Sequence, residues 1–337
     1  MRRRLAALLI VPALLLTACG GEDSDAKKDD ASSASPDASS PSAAPAPKPV
    51  ESASPLPTVT GDKGKKPNIA IPQGNPSSAF VVRTISEGDG PAVKAGDLVQ
   101  ADYTVKLWKG GKELGSSYDQ GGVPQVIDAG AKGIIPAFAE GVNGKKIGSR
   151  VLVVAPPNAA FGAAGQQQLG VKGTDTLVFV LDIKGVMPKK AEGEQADIPA
   201  NLPQVDASKE EPATIKIPKN DPPAKLVSDV LIEGKGPEVK NGQMVYMQYT
   251  GAAWKINEGK AKAEIFDSSW TAGKPFNTAI GQGQVIEGWD KGLVGKKVGS
   301  RVLLVIPPAQ AYKDQDKGPQ LPANSTLVFV VDIIGAM

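Results

Sequence analysis

Apolar residues along this chain fall mostly into short runs with a period of two. Val99, Ala101, Tyr103, Val105 and Leu107 alternate with Gln100, Asp102, Thr104 and Lys106. That alternation predicts a strand with one face buried. Val151-Leu152-Val153-Val154-Ala155 and the run Val302 to Ile306 are continuous, and each is stopped by a pair of prolines. They predict strands ended by a residue that cannot donate to a ladder. Leu177 to Ile183 and Leu327 to Ile333 are rich in β-branched residues and predict further strands. A helical period is convincing over Ile286, Trp289 and Leu293, spaced by three and four. One short helix against antiparallel strands gives the α+β class.

The pattern occurs twice. Ile69-Ala70-Ile71-Pro72 matches Ile215-Lys216-Ile217-Pro218, and Glu87-Gly88-Asp89-Gly90-Pro91 matches Glu233-Gly234-Lys235-Gly236-Pro237. Gly144-Lys145-Lys146-Ile147-Gly148-Ser149-Arg150 matches Gly295-Lys296-Lys297-Val298-Gly299-Ser300-Arg301, and Thr176-Leu177-Val178-Phe179 matches Thr326-Leu327-Val328-Phe329. Two copies, each long enough to hold its own core, predict tandem domains rather than a solenoid. The expected bounds are 67–187 and 213–337, with 188–212, rich in Lys, Glu, Pro and Ala, as a linker.

The beginning of the chain follows another rule. Met1-Arg2-Arg3-Arg4 is basic, and Leu5 to Leu16 is apolar but short for a spanning helix. The run ends in Leu16-Thr17-Ala18-Cys19. This resembles the bacterial lipobox, so residues 1–19 are expected to be a lipoprotein signal peptide with Cys19 as the lipidated residue, anchoring the chain to the outer face of the cytoplasmic membrane. Acyl chains contribute about 0.8 kcal/mol per buried methylene, which makes several of them a firm anchor. Residues 20–66 are rich in Ser, Ala, Pro, Asp and Lys. They are expected to form a disordered tether.

Composition narrows the chemistry. The chain has one Cys and no His. A Cys/His zinc site, a Ser-His or Cys-His nucleophile pair and an intramolecular disulfide are thereby excluded. No metal or other cofactor is implied. A formal charge of +2, with both signs interspersed, gives no footprint for nucleic acid. Any catalysis must work without imidazole.

A set of aromatics and one acid in the second copy gives the chemistry a direction. Tyr249-Thr250-Gly251, Phe266-Asp267-Ser268-Ser269, Pro275-Phe276, Gly281, Val285-Ile286-Glu287-Gly288-Trp289, Gly292, Gly299, Tyr312 and Thr326-Leu327-Val328-Phe329 stand in order over about 225–337. In residues and spacing this copy resembles the FKBP-type peptidyl-prolyl cis-trans isomerases. The resemblance implies a five- or six-stranded antiparallel sheet wrapped around one short helix, with a hydrophobic cleft between them. It implies Trp289 as the floor beneath a proline ring, with Tyr249, Phe266, Phe276, Val285, Leu321 and Phe329 around it. It further implies that the Ile286 N–H binds a substrate carbonyl, that the Tyr312 hydroxyl donates a hydrogen bond, and that Asp267 sits at the rim, orienting side chains or polarising the amide, so that Asp267, Tyr312, Ile286 and Trp289 are the expected catalytic residues. A dry cleft suits the reaction, because rotation about an Xaa-Pro bond needs no nucleophile, only loss of amide resonance. Charged residues in the loop Tyr312 to Pro319 and an insertion at 255–264 depart from the family pattern.

The first copy resembles the family less completely, over about 79–186. Leu114-Gly115 stands for the Phe-Asp pair, Pro124-Gln125 for Pro-Phe, Phe138 for the floor Trp and Phe161 for the Tyr donor. Tyr103, Ile134, Ile135 and Phe179 remain. A folded domain with a degenerate cleft and weak or no activity is expected. The chain is expected to be a monomeric isomerase acting on proline-containing unfolded or exported polypeptides, mainly through its C-terminal domain. Tacrolimus or rapamycin would be cleft ligands. The alternative is a non-catalytic surface chaperone or peptide-binding module that uses inherited clefts.

Overall fold

The computed structural model describes residues 47–119 and 121–337. The expected signal peptide, Cys19 and the first part of the expected tether lie outside the described residues. The chain divides into two compact units, one ending at Val186 and one beginning at Met187.

The first unit opens with a hairpin of β1 (Thr58–Thr60) and β2 (Asn68–Ala70). There follow β3 (Val81–Ser86), β4 (Leu98–Leu107), β5 (Glu113–Ser116), β6 (Gln125–Asp128), α1 (Pro136–Val142), β7 (Arg150–Ala155) and β8 (Leu177–Val186). The last six strands form one antiparallel sheet in the order β3-β7-β8-β4-β5, with β6 also paired to β4. The second unit repeats this plan. Its hairpin is β9 (Gln204–Asp206) with β10 (Thr214–Lys216). Its sheet contains β11 (Val227–Ile232), β12 (Met244–Ala253), β13 (Ile265–Ser268), β14 (Phe276–Ala279), β15 (Arg301–Ile306) and β16 (Leu327–Ala336). The strand order is β11-β15-β16-β12-β13, with β14 also on β12. Two helices interrupt it: α2 (Trp254–Asn257), a single turn in the insertion, and α3 (Glu287–Leu293). The tandem arrangement of small-helix, antiparallel-sheet domains agrees with the sequence reading; α2 is an addition to it.

Each sheet is covered on both faces, which corrects the expectation of one buried face. On the inner face α3 lies close to β15 because Gly288 and Gly292 carry no side chain there. A Cβ on Gly288 would fall 2.3 Å from Ile306 Cγ2, and one on Gly292 would fall 2.6 Å from Leu304 Cδ2. The outer face of the first sheet presents Leu152, Val154, Val178 and Val180, against which Ala53, Leu56 and Val59 pack. In the second unit Leu202, Val205, Ile215 and Ile217 cover Leu303, Val305, Val328 and Val330. With two covered faces, all six residues of β7 and all six of β15 are buried. This accounts for their unbroken apolar character.

The covering segments correct two expected boundaries. The tether does not extend to residue 66. The Val50 N–H donates to the Phe80 carbonyl at 2.8 Å, and the Val50 carbonyl accepts from the Val82 N–H at 2.9 Å. Arg150 then fastens the following loop. It makes a bidentate pair with Asp182 at 2.7 and 2.6 Å, and donates to the carbonyls of Gly61 at 2.7 Å and Lys65 at 2.8 Å. The Tyr118 hydroxyl also donates to Asp182. Nor is 188–212 a free linker. The Ala191 N–H donates to Asp332 at 3.0 Å and the Ala196 N–H to the Leu231 carbonyl at 2.7 Å, while Leu202 and Val205 are buried. Asp332 pairs with Arg301 as Asp182 does with Arg150. We call each covering segment a strap.

Candidate active site

The second unit brings its aromatics to one place. Tyr249 stands on β12, Asp267 on β13, Phe276 on β14, Trp289 on α3 and Phe329 on β16, with Tyr312 in the loop after β15. The turn Gln284-Val285-Ile286 completes the lining of a cleft of about 480 Å³. That turn is pinned from behind by Asp290, whose carboxylate accepts the N–H groups of Gly281 at 2.6 Å and Gly283 at 2.7 Å. Ile286 is the residue that caps α3 rather than part of the helix.

The rings meet edge to face. Trp289 lies 5.2 Å from both Tyr249 and Phe329 and 5.8 Å from Phe276, with interplanar angles of 83–89°. Tyr249 and Phe276 are 5.9 Å apart. Such pairs are held by the aromatic quadrupole as well as by burial, so the box is rigid. The Trp289 Nε1 is buried without a hydrogen-bond partner among the described residues. Phe276 is the exposed wall, at 37%.

The polar groups are few. The Tyr249 hydroxyl donates to Asp267 Oδ2 at 2.5 Å. Burial, then the bonded Asp267 carboxylate, pushes the Tyr249 phenol up from its ordinary value. Burial, with the Asp267 charge as a smaller cause, raises Tyr312 as well. Both phenols therefore stay protonated at neutral pH and can act as donors. Tyr249 spends its proton on Asp267. The Tyr312 hydroxyl and the Ile286 N–H have no partner among the described residues. The Lys317 ammonium lies 5.2 Å from the Tyr312 ring centroid and holds that ring from the solvent side of the loop by a cation–π contact. The cleft thus offers apolar walls, a flat floor and free donors at Tyr312 and Ile286, besides the buried Trp289 Nε1–H, with no nucleophile.

Residues 90–184 and 236–334 each match the family model of the FKBP-type peptidyl-prolyl cis-trans isomerase. The chain belongs to this family. Among relatives, an FK506-binding protein of Streptomyces anulatus is 40% identical over 121 residues, 36% of this chain and 93% of that one. FK506-binding protein 1A of Neurospora crassa is 42% identical over 111 residues, 33% of this chain and 87% of that one. A solved structure with three FKBP domains, from wheat FKBP73, is 22% identical and covers 76% of this chain and 94% of that chain, at a TM-score of 0.31.

Two residues expected in the lining of the second FKBP cleft stand behind it. Phe266 is half-buried and packs edge-on against Phe329 at 5.6 Å. Leu321 is buried in the same core. Both support the wall without forming its surface. Gln284 lines the cleft and had no site role in the sequence reading, although it directly precedes Val285.

The first FKBP domain has almost no cleft. Tyr103, Phe138, Phe161 and Phe179 come together with Val105, Leu114, Gly115 and Leu169 around a void of only about 20 Å³. Ile134 and Ile135 pack against the core but do not line that void. The strand registers give the reason. Val105 pairs with Gly115 and Phe179 as Gly251 pairs with Asp267 and Phe329. A Cβ on Gly251 would fall 2.6 Å from Phe329 Cε1 and 3.0 Å from Phe266 Cζ. The second domain needs that glycine to seat its two rings. The first has a valine there and a leucine in place of Phe266, so side chains occupy the space.

Proposed function

We propose that the C-terminal FKBP domain carries the isomerase activity of this chain and acts on Xaa-Pro bonds of exported polypeptides. The observation that carries this reading is the pair of cleft volumes, about 480 Å³ in the second domain against about 20 Å³ in the first. A proline ring stacks on Trp289 between Tyr249 and Phe276. The Ile286 N–H anchors a substrate carbonyl, and Tyr312 donates a second hydrogen bond. The barrier to be lowered is about 18–20 kcal/mol and reflects amide resonance. Water stabilises the planar, charge-separated amide, so moving that amide into a dry aromatic cleft favours the twisted one. Asp267 fixes the Tyr249 ring by accepting the hydrogen bond of its hydroxyl, and so acts as a positioning residue.

The lipobox-like stretch ending at Cys19 supports attachment to the outer face of the cytoplasmic membrane, where emerging chains would be the substrates. The same cleft is the proposed site for tacrolimus or rapamycin, in keeping with the names of the FK506-binding relatives. We take the chain to act as a monomer.

The test is proline-limited refolding of a reporter protein with the full chain as catalyst. Phe276→Gln places at the exposed wall the residue that the first domain has there, Gln125, and should lower kcat/KM at least about tenfold. No acceleration by the wild-type chain would sink the enzymatic reading, and an unchanged rate in Phe276→Gln would sink its assignment to the second cleft. For the anchor, Cys19→Ser should move the protein from the membrane fraction to the soluble fraction, and its retention with membranes would refute lipidation.

A further inference from the structure

The first FKBP domain holds a larger opening that shares no residue with its closed cleft. It has a volume of about 890 Å³. The end of the strap, from Ile69 to Pro76, forms one side, the turn after β4 forms another, and residues 170–176 form the third.

The second domain shows what belongs there. Leu107 pairs with Leu177 as Ala253 pairs with Leu327, so Trp108 and Trp254 hold equivalent places. The Trp108 indole donates to the Gly74 carbonyl at 2.9 Å, and that of Trp254 to the Asn220 carbonyl at 3.1 Å. The frames are the same, but the connections differ. Residues 109–112 join Trp108 to β5, whereas residues 255–264 join Trp254 to β13. The longer segment is organised by the buried Asn257, which donates to the Ala253 carbonyl at 2.9 Å and accepts the Glu264 N–H at 2.8 Å. It then runs beside the strap. The Gly259 N–H donates to the Ile217 carbonyl at 2.9 Å, the Ala263 N–H donates to the Ile215 carbonyl at 2.8 Å, and Ala263 is buried in the outer core.

Ile69 and Ile71 are the counterparts of Ile215 and Ile217. In the first domain the Ile69 carbonyl takes the Lys106 ammonium at 3.1 Å, and the Ile71 carbonyl has no partner among the described residues. A Cβ on Gly74 or Gly110 would meet nothing within 4 Å. Space for a short length of chain therefore lies beside a strand end with a free acceptor, over the apolar flank of Trp108 and Ile71. Lys109 and Lys172 line it, while the one acid there, Asp175, accepts the Lys172 N–H at 2.8 Å.

We propose that this recess binds a short looped segment of another polypeptide, as residues 258–263, turning at the left-handed Gly259, are bound in the second domain. The segment donates a backbone N–H to Ile71, places a small residue where the second domain seats Ala263, and carries acidic side chains toward Lys109 and Lys172. Backbone bonds to the end of the strap supply affinity, and the flanking charges select the sequence.

The experiment is hydrogen exchange on the full chain, titrated with two synthetic peptides. One has the sequence of residues 257–264, and the other has the same sequence with Lys260→Glu and Lys262→Glu. The acidic peptide should slow exchange at 69–76 and 107–112 and bind more tightly than the one of unaltered sequence, whose two Glu and two Lys balance. Lys109→Glu combined with Lys172→Glu should weaken it at least about fivefold. Replacing residues 109–112 by the sequence of 255–264 should abolish binding, because the domain then fills its own recess. Phe276→Gln should leave peptide binding intact, which separates this site from the cleft. No slowing at millimolar peptide, slowing confined to other segments, or unchanged affinity after the loop replacement would overturn the proposal. Protection of 69–76 without peptide that disappears in a chain trimmed before residue 47 would also overturn it, by assigning the recess to the chain's own beginning.

Discussion

The contrast between Gly251 and Val105 can be turned into a single substitution. Gly251→Val gives the second FKBP domain the residue that the first has at the same register. The backbone there is ordinary extended strand, paired with Asp267 and Phe329, so the effect comes from side-chain space alone. The new Cβ would lie 2.6 Å from Phe329 Cε1, 3.0 Å from Phe329 Cδ1 and 3.0 Å from Phe266 Cζ. Carbon atoms rest at about 3.5–4.0 Å, so the Phe329 ring must move by roughly 1 Å before the two methyl groups are accommodated. Phe329 is buried between Phe266, Tyr249 and Trp289, and the open direction for that movement is the cleft. Overpacking of this kind costs about 1–3 kcal/mol in stability, which leaves the domain folded. The loss to catalysis is larger, because a filled cleft cannot seat a proline ring. We expect kcat/KM in proline-limited refolding to fall at least about 100-fold, equivalent to about 2.7 kcal/mol of transition-state binding. Gly251→Ala should be intermediate. Thermal unfolding and far-UV circular dichroism check that the fold persists. A folded Gly251→Val chain with activity within about twofold of wild type would refute the argument that this glycine keeps the cleft open.

Other consequences can be checked in the same preparations. Tyr312→Phe removes the free hydroxyl donor and should lower kcat/KM about fivefold, for a hydrogen bond of ~1 kcal/mol, with no change in melting temperature. All five tyrosines have raised phenol pKa values, with burial the leading cause in each. Their contribution to stability is complete below about pH 10, the ordinary phenol value, and is lost as pH rises through the higher folded values, because the unfolded chain releases its protons first. Tyrosinate absorbance should therefore rise together with the loss of circular dichroism, and a titration at the ordinary value in a chain that stays folded would contradict the burial. Arg150→Ala leaves Asp182 buried beside Tyr118 and releases the carbonyls of Gly61 and Lys65. It should cost about 3–5 kcal/mol in the first domain and speed hydrogen exchange at Thr58–Thr60, read by calorimetry and mass spectrometry.

The strands and the short helix were legible because each rests on a local pattern, whereas the second cleft was expected from the resemblance of its residues to the FKBP family. Period-two runs, proline stops and the spacing of Ile286, Trp289 and Leu293 depend only on neighbours in sequence. The straps were not legible. Ala53, Leu56 and Val59 are scattered among Ser, Pro, Lys and Gly, and what buries them is the outer face of a sheet assembled from distant strands. Polar composition therefore suggested a tether where a docked segment stands. The alternation in β4 misled for the same reason. Thr104 and Asp102 face the covered side, where Thr104 bonds to Ser116 at 2.8 Å and Asp102 accepts from Ser117 at 2.8 Å. In the first cleft the losses of acid, tyrosine and tryptophan were readable one by one. The residue that closes the space, Val105, was not, because a valine in a strand carries no signal until the ring across from its counterpart is known.

The straps also bear on where each repeated unit begins. The family match begins only at residues 90 and 236, yet both domains wear a hairpin before that point, with Ile69-Ala70-Ile71-Pro72 in one and Ile215-Lys216-Ile217-Pro218 in the other. The strap therefore belongs to the repeated unit of this chain and lies outside the part that the family model describes. The two copies differ in which opening they keep: the first has its lateral recess open and its cleft closed, while the second has its cleft open and its insertion lying along the strap. A domain cut at the family boundary would lose the segment that covers the outer face of its sheet, so either domain in isolation needs its strap to keep that apolar face from water.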